Sequence, residues 1–326
     1  MVVTLQKPSL IENIGESVLV LGHHNADPDA IGAAVGVKEL ISHLKPQTMV
    51  QIVMPEDISK ISQTLINELG LEVFEDATLE PDSLVIVDSG GLNQLGSWES
   101  AILKQDFVIT LIDHHVLDVN IVKLVDLLIH NENASSTCEL VYNLFINYGV
   151  NPSVETSKAL LAGLMFDTKF FSIGDRRAFE TASKLLGNIG DVSEVRSLLN
   201  VEQDISEKIA RIKTAQRSTI HLLNEWLIVI SKIGSFQASG ARALVSLGAD
   251  LAIVSGSNLE GLRGSLRSTH HFNNETGIHL GEILQELSTG LDGTGSGHPT
   301  AAGYNGPISF DEFNEAILGK LKEKID

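Results

Sequence analysis

Cysteine is almost absent from this chain of 326 residues: Cys138 stands alone, so no disulfide framework braces the fold. It falls in the apolar series Cys138, Val141, Tyr142, Phe145 at helical spacing, which reads as a buried packing residue rather than a nucleophile. Long apolar runs are missing too. None approaches the roughly 18 residues of a membrane span, so no membrane association is expected. The opening Met1-Val2-Val3-Thr4-Leu5-Gln6-Lys7-Pro8 lacks a basic region followed by an apolar one, so no secretory leader is expected and a cytoplasmic location follows. Basic charge is scarce, with 23 Lys and Arg against 42 Asp and Glu for a formal net charge of −19. Such a chain is poorly suited to holding long duplex DNA by phosphate neutralisation. A small anionic substrate would need a local positive site made of metal ions and a few arginines. No basic segment rich in aromatics offers a stacking surface for a long single strand, and no internal repeat or low-complexity tract occurs.

What is present is an alternation of strand and helix patterns on a length that fits two domains. Val18–Leu21 is a short, continuously apolar run, as expected of a strand buried on both faces. After Gly22, residues 29–40 read as a helix rich in small residues, able to pack close to a sheet. Strands are expected over 49–54, 84–87 and 107–112, and helices over 58–69, 135–148, 159–166 and 178–187. Repeated crossovers of this kind predict a parallel sheet with functional residues at the carboxyl ends of its strands. Residues 193–221 are helical in pattern and strongly charged, which reads as a linker. Beyond it come strands over 226–230, 251–255 and 261–268, helices over 240–247 and 280–287, and a glycine-dense loop over 290–303. The expected architecture is α/β: an amino-terminal parallel-sheet domain (1–192), a helical linker (193–221) and a smaller α/β carboxyl-terminal domain (222–326), with the active-site cleft between the domains.

Four segments carry the chemistry: His23-His24-Asn25-Ala26-Asp27-Pro28-Asp29, Val87-Asp88-Ser89, Asp113-His114-His115 and Phe166-Asp167-Thr168. A lone Asp after a strand is more often a cap or turn residue than a ligand. Four such segments together change that balance. Carboxylates and imidazoles gathered at strand ends bind divalent metals, and a carboxylate between two ions bridges them at roughly 3.5–4 Å. Asp88 is the natural bridge, with His23 and Asp27 on one ion and Asp29, His114 and Asp167 on the other. His23 and His24 are adjacent and cannot point the same way from an extended segment, so His23 is taken as the ligand. Asp113 can cap a turn in a structural role, its carboxylate then aiming His114 and His115. A shell of oxygen and nitrogen without thiolate suits Mn²⁺ best, with Mg²⁺ and Co²⁺ as alternatives. Two ions so held lower the pKa of a shared water and produce hydroxide for in-line attack on phosphorus.

The Asp113-His114-His115 triplet with the other three segments resembles the DHH phosphoesterase superfamily. That resemblance implies hydrolysis of phosphoric esters and anhydrides with paired Mn²⁺ ions. The family's first pattern, commonly His-Asp-Asn-Pro-Asp-Pro-Asp, stands here as His23 to Asp29 with departures at His24 and Ala26, positions that need not bind metal. Its second, third and fourth patterns map onto Asp88, onto Asp113, His114 and His115, and onto Asp167. Ser265-Leu266-Arg267-Ser268 followed by Gly295-Ser296-Gly297-His298 resembles the DHH-associated domain of the RecJ-like and nanoRNase-like branch, whose usual loop is Gly-Gly-Gly-His. Ser296 replaces the middle glycine, which either alters the loop's backbone angles or presents a hydroxyl to phosphate. Glycines flanking a histidine let backbone amides approach a phosphate oxygen, and Arg267 can grip phosphate with two parallel bonds. Arg263, four residues earlier, reads as a solvated side chain that can also reach the ligand.

The resemblance implies Asp88, Asp113 and His115 as catalytic residues, and His115, Arg267, Ser268, Gly295, Ser296, Gly297 and His298 as substrate contacts. Its substrate range includes short oligoribonucleotides, 3′-phosphoadenosine 5′-phosphate and linear or cyclic dinucleotides. Because little length remains after two modules, a nanoRNase-like enzyme for short RNA is the first expectation. The alternatives are a dinucleotide phosphodiesterase, a RecJ-like exonuclease on single strands and a non-catalytic replication-associated scaffold. A family II inorganic pyrophosphatase shares the metal pattern, but its Ser-Arg-Lys-Lys-Gln type segment is not found. A homodimer through the first domain is a further expectation from the family.

Overall fold

Apolar runs four to six residues long, each closed by a turn residue, become the strands that organise the first half of the chain. The computed structural model describes residues 9–104, 107–200, 204–258 and 261–325, so the expectation about a leader in residues 1–8 lies outside the described residues. Strands β1 (Ser17–Leu21), β2 (Met49–Val53), β3 (Ser83–Val87), β4 (Val108–Asp113) and β5 (Leu127–His130) form one sheet in the order β2-β1-β3-β4-β5. Every pairing in it is parallel. Between the strands run α1 (Pro28–Leu44), α2 (Lys60–Leu69), α3 (Trp98–Ile102) and α4 (Val119–Val122). After them come α5 (Thr137–Tyr148), α6 (Val154–Asp167) and α7 (Arg176–Ile189).

The period of two along each strand divides the core between the faces of the sheet. Val18, Val20, Val85 and Val87 join one apolar cluster with Ala30, Ala33 and Val37 of α1, Val141 and Phe145 of α5, and Leu160 and Leu164 of α6. Leu19, Leu21, Leu84 and Ile86 join a second with Leu92, Leu95 and Ile102. The small residues of α1 let α6 come close. On α6 itself, a Cβ added at Gly163 would lie 2.4 Å from Cys138 Sγ and 2.8 Å from Asp29 Cα. That glycine therefore brings Asp167, one turn onward, alongside Asp29. The strand order reverses between β1 and β3, the switch point at whose carboxyl-terminal edge an open α/β sheet binds ligands.

The charged stretch over 193–221 is not helical throughout. It holds α8 (Val192–Leu198) and α9 (Ile205–Gln216), and then the chain extends into β6 (Thr219–Leu223), while residues 201–203 lie outside the described residues. Its end is a strand because Thr219 to Leu223 form an antiparallel ladder with β7 (Trp226–Lys232), a long-range pairing that overrides local pattern. Helix α8 buries Val195 and Leu198 in the first core, whereas α9 buries Ala210 in a core of the second half. Two compact units result, Met1–Val201 and Glu202–Asp326.

The second unit carries α10 (Gln237–Ser246), β8 (Leu251–Asn258), β9 (Gly261–Ser268), α11 (His270–Thr276) and α12 (Leu280–Gly290). Then follow β10 (Thr294–His298), β11 (Ala301–Gly306) and α13 (Phe310–Ile325). Its mixed sheet has the order β10-β11-β9-β8-β7-β6, with β7 and β8 parallel and the other pairs antiparallel. Alternation again makes two cores: Ile228, Ile230, Leu251 and Ile253 face Phe272, Leu284 and Phe313, while Val229, Ala252 and Val254 face Ala241 and Leu244 of α10. The stretch expected as a loop over 290–303 is in fact largely a hairpin, β10 and β11, with Ser296 opposite Gly303. Glycine stands at 295 because the strand lies against α12 there: a Cβ on Gly295 would meet the Leu284 carbonyl oxygen at 2.5 Å. Among the described residues no helix is long and apolar enough to cross a membrane.

Candidate metal centre and phosphate pocket

The structure gathers the six expected ligands, five of them around the buried carboxylate of the sixth, Asp88. His23 and Asp27 lie just beyond β1, Asp88 just beyond β3, His114 just beyond β4, and Asp29 and Asp167 on α1 and α6. Asp88 is 3% exposed. Its Oδ2 lies 3.7 Å from His23 Nε2 and its Oδ1 lies 3.8 Å from His114 Nε2. His23 Nε2 is 3.9 Å from Asp27 Oδ1, and His114 Nε2 is 3.9 Å from Asp29 Oδ2 and 3.0 Å from Asp167 Oδ2. Among the described residues three sets can each hold a metal ion with ligand atoms within 4.8 Å of one another: His23, Asp27 and Asp88; Asp29, His114 and Asp167; and Asp88, His114 and His115.

Local structure fixes these side chains. Asp27 caps α1, its Oδ1 accepting from the amides of Asp29 and Ala30 at 2.9 and 3.2 Å, so one residue serves both as helix cap and as part of the cluster. Asp29 sits at the amino terminus of α5, where the amides of Thr137 and Cys138 donate to its two oxygens at 2.6 and 2.9 Å. Both histidine rings turn Nδ1 to a backbone carbonyl, His23 to its neighbour His24 at 2.8 Å and His114 to Ala134 at 3.2 Å. A carbonyl only accepts, so Nδ1 carries the proton in each and Nε2 faces the carboxylates, the usual arrangement of a metal-binding imidazole. His24 is exposed, turned to the Gln94 carbonyl at 3.0 Å, and belongs to none of the three sets.

Asp113 is fully buried and aims His115 alone, accepting at Oδ1 from the His115 amide at 2.8 Å and from its Nδ1 at 2.9 Å. Of the two imidazoles expected to be aimed by Asp113, His115 is so held, whereas His114 has its Nδ1 on the Ala134 carbonyl. His115 is half exposed, with Nδ1 3.5 Å from Asp88 Oδ1. Strain gathers at the same place: Asn25 and Asp88 take left-handed φ of 54° and 55°, and Lys169, Phe170 and Phe171, which begin two residues after Asp167, take 48°, 55° and 63°. Each such non-glycine residue costs roughly 1–2 kcal/mol, and such residues concentrate at functional sites.

Whether the cluster fits divalent cations follows from its charge. Burial first, then the carboxylates of Asp29, Asp27, Asp167 and Asp113, holds the Asp88 carboxyl well above the ordinary range. Burial, with Asp167 and Asp27 nearby, does the same to Asp29. Burial by itself would lower His23, yet Asp27, the His24 carbonyl and Asp88 outweigh it and bring the imidazole up to about 9. His114 is also raised against burial, by Asp167 and Asp88. Its Nε2, turned to Asp167 Oδ2 at 3.0 Å, has among the described residues only carboxylate oxygens of Asp167, Asp88 and Asp29 within 4 Å as ion-pair partners. A buried cluster of acids, two imidazoles presenting Nε2, and no thiolate among them is a donor set that divalent cations neutralise.

In the second unit the residues expected to contact substrate divide. Arg263, Ser265 and Arg267 alternate onto one face of β9 and line a cavity of ≈ 450 Å³ with Ser296, Gly297 and His298. Ser268 points the other way by the same period of two, and Gly295 is turned to α12; neither lines the cavity. Ser296 keeps an ordinary φ while Gly297 takes 152°, so replacing the family's middle glycine costs no backbone strain. Arg267 Nη1 donates to the Leu266 carbonyl at 2.7 Å and to Ser265 Oγ at 3.2 Å. Burial and the nearby Arg242 hold the Arg267 guanidinium below its ordinary range, so an anion would relieve both effects.

Sequence reasoning did not single out Thr137, which donates to both Asp29 and Asp88. The Ser-x-x-Glu pattern of Ser136 and Glu139, ahead of the apolar run of α5, was the available signal, although the Glu139 carboxylate accepts from the Ser135 amide and not from that of the cap itself. Phe236 and Gln237, which open α10 and line the cavity, were also missed. Phe236 takes a left-handed φ of 60°, which local pattern does not announce.

Comparison with known proteins agrees with this anatomy. Residues 17–166 match the model of the DHH family, N-terminal domain, and residues 242–323 match the DHHA1 domain. An uncharacterized protein of Methanocaldococcus jannaschii is 32% identical over 94% of this chain and 92% of its own length. The cyclic-di-AMP phosphodiesterase GdpP of Geobacillus thermodenitrificans is 29% identical over 97% of this chain, which spans about half (48%) of that protein. Among solved structures, an exopolyphosphatase-related protein from Bacteroides fragilis superposes with a TM-score of 0.64 at 16% identity, covering 95% of this chain and 94% of that one, a likeness of fold. The chain belongs to the DHH family, with a DHH domain followed by a DHHA1 domain.

Proposed function

We propose that the chain is a manganese-dependent phosphoesterase of short nucleotide substrates, cleaving the diester bonds of short oligoribonucleotides and removing the 3′ monoester of 3′-phosphoadenosine 5′-phosphate, with linear dinucleotides as the shortest of the diesters. The observation that carries this reading is the Asp88 carboxylate, one oxygen turned to His23 and the other to His114, with further acids on either side. In the proposal His23, Asp27 and Asp88 hold one cation, and Asp29, His114, Asp167 and Asp88 the other. Bound there, the cations supply hydroxide at neutral pH and offset the charge of the phosphate under attack. His115, aimed by Asp113 and half exposed, donates to a phosphate oxygen. Arg267 and His298 grip a substrate phosphate, and Phe236, 40% exposed at the cavity, offers a ring for stacking on a base. A net charge of −19 supports small substrates over long duplexes.

A second reading, opening of a cyclic dinucleotide, is favoured by the likeness to a cyclic-di-AMP phosphodiesterase along nearly the whole chain. The test is a product time course with manganese on end-labelled RNAs of graded length, a linear dinucleotide, cyclic-di-AMP, 3′-phosphoadenosine 5′-phosphate and a long single strand, with Asp88→Ala as the blank. The proposal expects turnover to be fastest on the shortest linear substrates and lost in the blank. Preference for the cyclic substrate selects the second reading. Preference for the long strand selects a RecJ-like exonuclease, and no turnover of any phosphoester selects a scaffold.

A further inference from the structure

One buried residue touches acids of both proposed cation sites. Thr137, the first residue of α5, is fully buried. Its amide donates to Asp29 Oδ2 at 2.6 Å and its hydroxyl donates to Asp88 Oδ1 at 2.8 Å. The next amide, of Cys138, takes the other Asp29 oxygen at 2.9 Å. A hydroxyl has a single proton, and here it lies on the oxygen of Asp88 that faces His114 and His115, leaving Oδ2 toward His23. Threonine suits the task because branching at Cβ stiffens χ1. Its backbone is held as well, since Ser136 caps α5 through the Glu139 amide at 3.1 Å.

Asp88 needs such a restraint. It follows β3 in a left-handed conformation, burial and four neighbouring acids act on its charge, and rotation about Cβ–Cγ would exchange which oxygen faces which set. We propose that Thr137 is a positioning residue that holds the two cation sites in register, its hydroxyl fixing the plane of the shared Asp88 carboxylate and its amide tying the same anchor to Asp29. The proposal rests on the metal-centre reading above. Thr137 neither binds a cation nor touches substrate; it acts through the two carboxylates.

Removing the hydroxyl while keeping shape and backbone isolates this role. Thr137→Val leaves the amide bond to Asp29 in place and frees only Asp88. Partners that orient metal ligands are typically worth about 10–100-fold in metal affinity, and the loss expected in Thr137→Val lies in that range. The experiment is titration of the metal-free full chain with Mn²⁺ by calorimetry, followed by electron paramagnetic resonance of the loaded protein. Wild type is expected to bind two ions with an exchange-coupled spectrum, and Thr137→Val to lose that affinity and show the six-line signal of isolated ions. Thr137→Ser, which restores the donor, is expected within about threefold of wild type, well inside that loss. Thr137→Ala carries the same expectation as valine and covers the case in which valine does not fold. Coupled spectra and unchanged affinities in both Thr137→Val and Thr137→Ala overturn the proposal, and so does a serine variant as impaired as valine. A wild-type chain that binds no manganese overturns the metal-centre reading itself, which separates the two failures.

Discussion

Asp88→Asn separates the electrostatic account from a purely structural one, because the two predict opposite signs in the metal-free protein. The side chain is 3% exposed, surrounded by Asp29, Asp27, Asp167 and Asp113, and held above the ordinary carboxyl range by burial and their charge. Asparagine keeps its size, accepts the Thr137 hydroxyl through its carbonyl and tolerates the left-handed φ of 55°. The metal-free variant at neutral pH is therefore expected to melt no lower than wild type, since a repelled buried charge has been removed. With manganese the order reverses. At 100-fold excess over Kd a bound ligand contributes about 2.7 kcal/mol. For a unit the size of Met1–Val201, each kcal/mol moves the melting temperature by roughly 2–4 °C. The wild-type rise is then about 5–11 °C, and in Asp88→Asn most of it disappears. Differential scanning fluorimetry in chelator and in manganese measures both numbers. A variant that melts well below wild type in chelator, or that keeps the full rise in manganese, would refute the reasoning.

Manganese binding must displace protons, and the sign is fixed. The folded pKa of His23, about 9, lies above its ordinary 6.5, so protonated His23 stabilises the metal-free fold below pH 6.5 and that contribution is lost as pH rises through about 9. Manganese affinity is accordingly expected to rise between pH 6.5 and 9, with proton release visible in calorimetry with buffers of different ionisation heat; a flat profile contradicts it. Gly163→Ala places a methyl 2.4 Å from Cys138 Sγ and 2.8 Å from Asp29 Cα, so denaturant titration should show a loss of about 1–3 kcal/mol together with weaker manganese binding. Unchanged stability would mean that α6 yields without moving Asp167. Arg267→Ala removes a charged donor from the second unit's cavity, and steady-state kinetics should show KM raised about tenfold or more with kcat little altered. A collapse of kcat at constant KM contradicts that assignment.

The parallel sheet was legible because strands buried on both faces, such as Val18 to Leu21 and Leu84 to Val87, read as unbroken apolar runs between turn residues. The acids and histidines the structure gathers were legible because they sit directly after those strands, or cap and close the helices packed on them. What escaped depends on contacts distant in sequence. Strand β5 is a short edge strand whose Leu128 is 41% exposed, so its pattern is weak. Residues 219–223 became a strand through pairing with β7, and the glycines over 295–303 became a hairpin through their fit against α12 and β9. Ser268 was misplaced among the cavity residues although the period of two along β9 sets it opposite Arg267. Thr137 was invisible to a search for ligands because it serves them from 49 residues beyond Asp88 and 108 beyond Asp29.

The central claim is that Asp88 is shared by two divalent cations. Anomalous diffraction from crystals of the manganese-loaded chain tests it most directly. The account predicts two peaks, one among His23, Asp27 and Asp88 and the other among Asp29, His114, Asp167 and Asp88. A single peak, or a pair that does not share Asp88, would contradict it.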